Sequence, residues 1–368
     1  MIETTESGDR GGQTPSTSGV NGEERSALEQ DSDQMAPRPV WGWPTALSIT
    51  AALAILAGFA SVLDWGDIRE RIGGCDKRLV LAGALAHYGS YIFRGVRWRR
   101  SLAQFSISAG WRKFSLLMFF CNFVDNILPG KVIDFYAAHL ARINFGIRRS
   151  EAMGSIMFLR MVDMWLLLGL AGLSSFVLFS EGLPPSITWS LIFGAVLSIG
   201  IAAGIALFAL SNRMRLEWIP EKARRMIGAF RVGMLPPSRQ ILPIALLTLV
   251  IWAMEAAWIF CLAWAFDVRV GLTEGVFLTT IPLIASAFPL TPSGTGVVEL
   301  TLYSCLHVLG APPATAASLT VLNRLIDYWL HNALGAVTWA FRDALGFRSW
   351  RETKGGVLPQ LSCKGLNN

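Results

Sequence analysis

Beyond residue 43 the chain is a succession of apolar runs separated by short polar ones, and most runs have the length of membrane spans. A helix rises 1.5 Å per residue, so about 20 apolar residues cross a hydrocarbon core. Runs over 44–63, 79–98, 153–179, 188–210, 241–265 and 320–341 predict six full spans. Two other regions are different. Residues 114–128 are apolar but short, meet Pro129-Gly130, and give way to an amphipathic stretch over 132–146 carrying Asp134, His139 and Arg142. Residues 276–288 are also short and apolar. They run into 288–299, Phe-Pro-Leu-Thr-Pro-Ser-Gly-Thr-Gly-Val-Val-Glu, before 297–309 returns. Proline removes a backbone donor and glycine loosens φ/ψ, so both regions break a helix. Broken backbone at membrane depth is tolerated only where protein buries it or water reaches it. The pattern therefore predicts two re-entrant helical hairpins. The competing reading of the first is a soluble-facing loop with an interfacial helix.

Composition agrees with a membrane protein. The 368 residues are 52% hydrophobic and 16% charged, with a mean hydropathy of +0.45, whereas soluble domains run near ~25% charged. Residues 1 to 39 are rich in Ser, Thr, Gly, Glu, Asp and Gln, which predicts a disordered tail; they lack the basic-then-apolar order of a signal peptide. Net charge is +6 but uneven, acidic through residue 43 and basic in later loops. That distribution reads as topology rather than nucleic-acid binding. Arg94, Arg97, Arg99 and Arg100 end the second span, seven basic residues fill the loop 212–239, and the tail 342–368 is basic again. Lys and Arg concentrate on the cytoplasmic side, so the expected topology in the cytoplasmic membrane is N-in and C-in. The outer segment 64–78 strains this scheme with Arg69, Arg71, Lys77 and Arg78. The five cysteines and four histidines are scattered without metal-ligand spacing, so no metal or disulfide framework is expected.

The two hairpin regions are related. Slid by 164 positions, Gly130 falls on Gly294, Gly146 on Gly310, Ala152 on Ala316, Arg160 on Arg324, Asp163 on Asp327 and Trp165 on Trp329. Arg-x-x-Asp-x-Trp-Leu thus recurs in register behind a Pro/Gly break. With one hairpin entering from each side, the expected architecture is an all-α integral membrane protein of six full spans and two re-entrant hairpins in an inverted repeat, over about 77–180 and 241–341. Inverted repeats with interrupted helices are a transporter signature, with the site near the midplane.

Charged groups inside spans are costly and point to function. Arg160/Asp163 and Arg324/Asp327 sit at i, i+3 on one helix face. A guanidinium can fork onto a phosphate; the alternative is a structural ion pair locking each span to its hairpin. Glu255 lies mid-span, able to pair with an arginine or to take a lipid amine or a proton. Glu299 can accept backbone N–H groups of its own hairpin or bind a cationic head group. Gly294 and Gly296 can expose amides to a phosphate, or serve only the turn. Asn126, Gly130 and Lys131 mark the first break, and Lys131 and the basic loop are placed for anionic lipid. No Gly-Lys-Ser/Thr follows the glycines, so neither nucleotide nor other cofactor is expected.

These motifs, Asn-x-x-Pro-Gly-Lys over 126–131, Gly146 to Glu151-Ala152, Arg160-x-x-Asp163, and Pro-x-Gly-x-Gly-x-x-Glu ending at Glu299, resemble the lysylphosphatidylglycerol synthase/flippase transmembrane family. The resemblance covers about 44–341. Ser293 and Lys131 depart from the family's usual Gly and Arg. The resemblance implies a flippase-like lipid translocase, moving a phospholipid, possibly aminoacylated, or a glycolipid between leaflets. The 368 residues leave no room for an aminoacyl-transferase domain, so no enzyme activity is expected of it. The alternatives are a membrane-embedded enzyme acting on a lipid carrier, or an accessory protein that recruits a separate lipid-modifying synthase.

Overall fold

The computed structural model describes residues 64–105, 107, 109–127, 133–179, 220–286 and 294–347, with isolated positions between 50 and 63 and between 188 and 203. Most of the expected first and fourth spans, and both tails beyond residue 347 and before residue 50, lie outside the described residues. Every described element is helical: α1 Trp65–Gly74, α2 Lys77–Ser101, α3 Trp111–Ile127, α4 Ile133–Phe145, α5 Arg149–Leu178, α6 Glu221–Met234, α7 Ser238–Ala265, α8 Leu272–Ser286, α9 Val297–Val308, α10 Pro313–Arg324, a π-helical stretch Leu325–Leu330, and α11 His331–Ala340.

The scaffold is the antiparallel pair of α2 and α7. Asp76 caps α2 by accepting the Arg78 amide at 2.8 Å, and its own amide donates to Ala265 O at the far end of α7, 3.0 Å. At the other end Arg100 donates to Gln240 at 3.2 Å. Small residues set the spacing. A Cβ on Gly83 would lie 2.7 Å from Trp258, and one on Gly89 would lie 2.9 Å from Met254. α7 buries Ile244, Thr248, Ile251, Glu255, Trp258 and Leu262, a three-and-four spacing that keeps one face against the protein. Its other face exposes Ile241, Leu242, Leu246 and Leu249. Trp165, Leu173 and Phe176 of α5 and Trp329, Leu334 and Val337 near the chain's end are exposed too. Exposed apolar surface on this scale marks contact with a partner or with lipid. α5 and α7, 30 and 28 residues at mean hydropathies of 1.8 and 2.1, are long and apolar enough to span a bilayer.

The two short-helix pairs appear where the sequence breaks. α3 and α4 flank the first break, whose Leu128–Val132 lies outside the described residues; α8 and α9 flank the second, whose 287–293 does likewise. α4 ends at Gly146 (φ 73°), whose amide donates to Arg142 O, and α9 ends short of Gly310 (φ 85°), whose amide donates to His307 O. Left-handed backbone at these positions favours glycine and terminates each helix.

Two segments read as charged loops are helical. Within 64–78, α1 is capped by Asp64, which accepts the Gly66 amide at 2.9 Å, and Arg71 joins it to Thr315 at the start of α10 at 3.1 Å. Within 212–239, α6 lies against the start of α5. Both segments alternate charge with apolar positions, and tertiary contact rather than a long apolar run makes them helices.

Candidate functional site

A cavity of about 290 Å³ lies among α2, α3, α5, α7, α8, α9 and the α10–π junction. Among its lining residues are His87, Tyr91, Arg94, Asp125, Asn126, Arg160, Trp252, Glu255, Gly294, Arg324, Asp327 and Tyr328. Both hairpin regions and both Arg-x-x-Asp spans therefore reach one space. Of the residues singled out by sequence, Asn126, Arg160, Glu255, Gly294, Arg324 and Asp327 line it; Asp163 and Glu299 do not, but bond the lining residues Trp252 and Arg324, and Gly296 bonds Glu299. Gly130 and Lys131 lie outside the described residues.

Each Arg-x-x-Asp pair divides its partners. Arg160 reaches back to α4, with Nε and Nη2 at 3.0 and 2.6 Å from Asp134 Oδ1. Arg324 reaches α9, with Nε 2.6 Å from Glu299 Oε1, and donates through Nη2 to Thr295 at 2.9 Å. Its guanidinium lies 4.5 Å from the centre of the Tyr328 ring. The aspartates turn to the scaffold. Asp163 accepts both Nη groups of Arg97, one of them at 2.8 Å, and the Trp252 indole at 2.9 Å. Arg97 also donates through Nη1 to Thr248 at 2.9 Å. Asp327 lies 3.3 Å from His87 Nε2, a contact without hydrogen-bond alignment. Arg and Asp three apart on one helix thus tie the same span both to its hairpin and to the α2/α7 pair.

Glu255 is held by three side chains of α2. It accepts from His87 Nδ1 at 2.9 Å, from Ser90 at 2.8 Å and from Arg94 Nη2 at 2.8 Å. Arg94 also faces Tyr91 and Trp252, at 5.6 and 5.5 Å from their ring centres. Glu299, besides Arg324, accepts the Gly296 amide at 2.7 Å, so that amide is engaged within its own turn. Gly294 is in the left-handed region (φ 66°) and passes within 2.9 Å of Ser286 for an added Cβ, which closes α9 onto the end of α8. Asn126 donates to Asn332 at 3.0 Å and accepts the Tyr328 hydroxyl through its carbonyl at 3.1 Å.

His87, Arg94 and Arg97 are the residues that sequence reasoning missed. The two arginines look like the start of a cytoplasmic basic cluster, because Arg99 and Arg100 follow at once. Their partners lie more than 60 residues away in the chain, and only Glu255, a lone mid-span acid, hints that a cation must meet it.

The structure defines a class: a helical protein with a broadly apolar exterior and an interior cavity of paired charges between two interrupted elements. The chain belongs to the family of the lysylphosphatidylglycerol synthase transmembrane region, whose profile matches residues 46–335, and it is a membrane protein. It is 24% identical to a UPF0104 membrane protein of Methanocaldococcus jannaschii over 58% of this chain and 92% of that one. Identity is 25% to a UPF0104 membrane protein of Methanothermobacter thermautotrophicus, over 78% and 90% of the two chains. It is also similar to the glycosyltransferase AglD of Haloferax volcanii, 22% identical over 78% of this chain and 51% of that protein.

Proposed function

We propose that the protein moves a lipid head group between leaflets through the central cavity, and that the cavity favours a head group bearing an amine. The observation that carries this is its charge balance. Arg94–Glu255, Arg160–Asp134 and Arg324–Glu299 are matched pairs. Asp327 adds a further acid, 3.3 Å from His87 Nε2, and His87 is the one other titratable base among the described lining residues. A phosphate that reaches one of these arginines competes with a carboxylate already bound to it. An amine can meet Asp327, which no arginine among the described residues holds. An aminoacylated phospholipid carries such a group, and binding it at Asp327 would loosen the contact with His87.

The proposed architecture remains the inverted repeat, with six full spans, two re-entrant hairpins and both termini inside. Several features support it. Asp134–Arg160 and Glu299–Arg324 coincide within one position when the chain is slid by 164. Gly146 and Gly310, matched at that offset, both follow a hairpin helix with positive φ. α2 and α7, the spans before each hairpin, pack antiparallel, and Gly89 lies against Met254, again within one position of that offset. Antiparallel mates are what inversion requires.

The test is a leaflet-resolved assay in proteoliposomes with an aminoacylated and a neutral lipid. Loss of one charge-assisted contact costs about 1.5–3 kcal/mol, so Asp327→Asn is expected to slow transfer of the amine-bearing lipid by roughly 10- to 100-fold. Transfer at the wild-type rate in that variant removes the proposed role of the cavity acids. A second reading, service to a glycolipid pathway beside a separate synthase, is favoured by the likeness to a named glycosyltransferase. Transfer of a glycolipid but not of the aminoacylated lipid would select it.

A further inference from the structure

A second cavity, of about 550 Å³, lies at the end of the scaffold where α2 finishes and α7 begins. It is unlike the central one in both charge and wall. Its floor and sides are Ile92, Val96, Leu102, Phe105, Ile107 and Trp111, and its polar rim is Arg99, Arg100 and Gln240. The two arginines bond only neutral groups, Arg99 Nε to Ala109 O at 3.0 Å and Arg100 Nη1 to Gln240 at 3.2 Å. Among the described residues neither meets a carboxylate, whereas Arg94, Arg97, Arg160 and Arg324 each do. Arg112 stands beside the rim with its guanidinium 5.5 Å from the centre of the exposed Trp111 ring. Tryptophan and arginine together are the side chains that settle at the bilayer–water boundary.

We infer that this groove is a binding site for an anionic phospholipid, distinct from the translocation cavity. Two adjacent guanidinium groups without counter-charge suit a phosphodiester, which accepts forked donors. The trough below them suits the first part of an acyl chain; a free anion has no use for it. The volume is in the range of sites that enclose a head group and its neighbouring carbons. An occupied groove ties the last turn of α2 to Trp111 and to Gln240 at the start of α7, so the lipid braces the scaffold from its rim. The site requires only that this end of the bundle reach a membrane surface, and it stands whichever lipid the central cavity moves.

The experiment uses the full chain in nanodiscs with phosphatidylglycerol carrying a diazirine near the top of one acyl chain, and peptide mapping after irradiation. Labelling is expected on residues 92–111. It is expected to fall by roughly tenfold in the Arg99→Gln/Arg100→Gln double variant, by the usual surface contribution of two basic residues. Val96→Trp, which fills the trough and leaves both arginines, is expected to lose it as well, while labelling on peptides of the central cavity persists in both. Equal labelling at 92–111 in wild type and double variant overturns the inference. So does equal labelling by the same probe built on phosphatidylcholine, which identifies ordinary annular lipid, or full competition by inorganic phosphate, which identifies a free-anion site.

Discussion

Asp163 accepts three hydrogen bonds from two elements, and Arg97, its main partner, is only 4% exposed. A buried pair of this kind contributes little over a well-packed apolar pair, yet removing one member leaves the other charge stranded. Asp163→Leu is therefore expected to cost about 3–5 kcal/mol of stability, read as a lowered midpoint of thermal unfolding in detergent. The double variant Arg97→Leu/Asp163→Leu is expected to recover most of that loss. A double variant no better than the single would mean that the pair itself, and not the stranded charge, holds the helices. The same asymmetry separates what could be read in the sequence from what could not. Arg160, Asp163, Glu255, Arg324 and Asp327 were visible because a charge inside an apolar run is an exception that needs a cause. Which acid meets which base was not visible. Arg160 passes over Asp163, three residues away on its own face, for Asp134 on another helix, and a sequence carries no information on that choice beyond the presence of both.

Gly154 of α5 and Gly233 of α6 face each other's backbones. A Cβ on Gly154 would run into Phe230 O, and one on Gly233 into Glu151 O. Neither glycine has positive φ, so the requirement is close approach alone. Helices held backbone to backbone have no side chain to yield, and overpacking costs about 1–3 kcal/mol. Gly233→Val is expected to lift α6 off α5 and expose residues 220–234 to protease, with α2 and α7 still protected; uncut α6 in that variant would show that the contact is dispensable. The contact was hidden from the sequence because α6 sits in a basic stretch, Lys222 to Arg231, where charge outweighs periodicity. Long apolar helices such as α5 and α7 were legible to within a few residues, as were the breaks beside Gly146 and Gly310. The π-helical stretch Leu325–Leu330 was not, since its residues continue the apolar pattern of a normal helix. It follows Arg324 directly and contains Asp327 and Tyr328, and π-helical turns recur at functional sites because they shift side chains off the regular register. Here the shift belongs to the span whose arginine and aspartate hold different elements.

At the scale of the molecule, the reading stands on whether the cavity can face two leaflets in turn, and that depends on α7 crossing the membrane. With 28 residues at 1.5 Å per residue, α7 is about 42 Å long, more than a hydrocarbon core of about 30 Å even when tilted. Leu235 precedes it and Leu272 follows it, 61% and 76% exposed, so each offers an accessible reporter beyond an opposite end. In a chain whose native cysteines are replaced by serine, Leu272→Cys is expected to react with a membrane-impermeant maleimide in intact cells. Leu235→Cys is expected to react only after the membrane is opened, because the basic stretch around α6 belongs on the cytoplasmic side. The reverse pattern would keep the span and exchange the leaflets, turning the hairpins over together. Reaction of both from one side would mean that α7 does not cross. The antiparallel α2 would then lose its reason to be a span as well, and a cavity built on their crossing could open to one surface only, which is incompatible with translocation and compatible with a protein that holds a lipid for another enzyme.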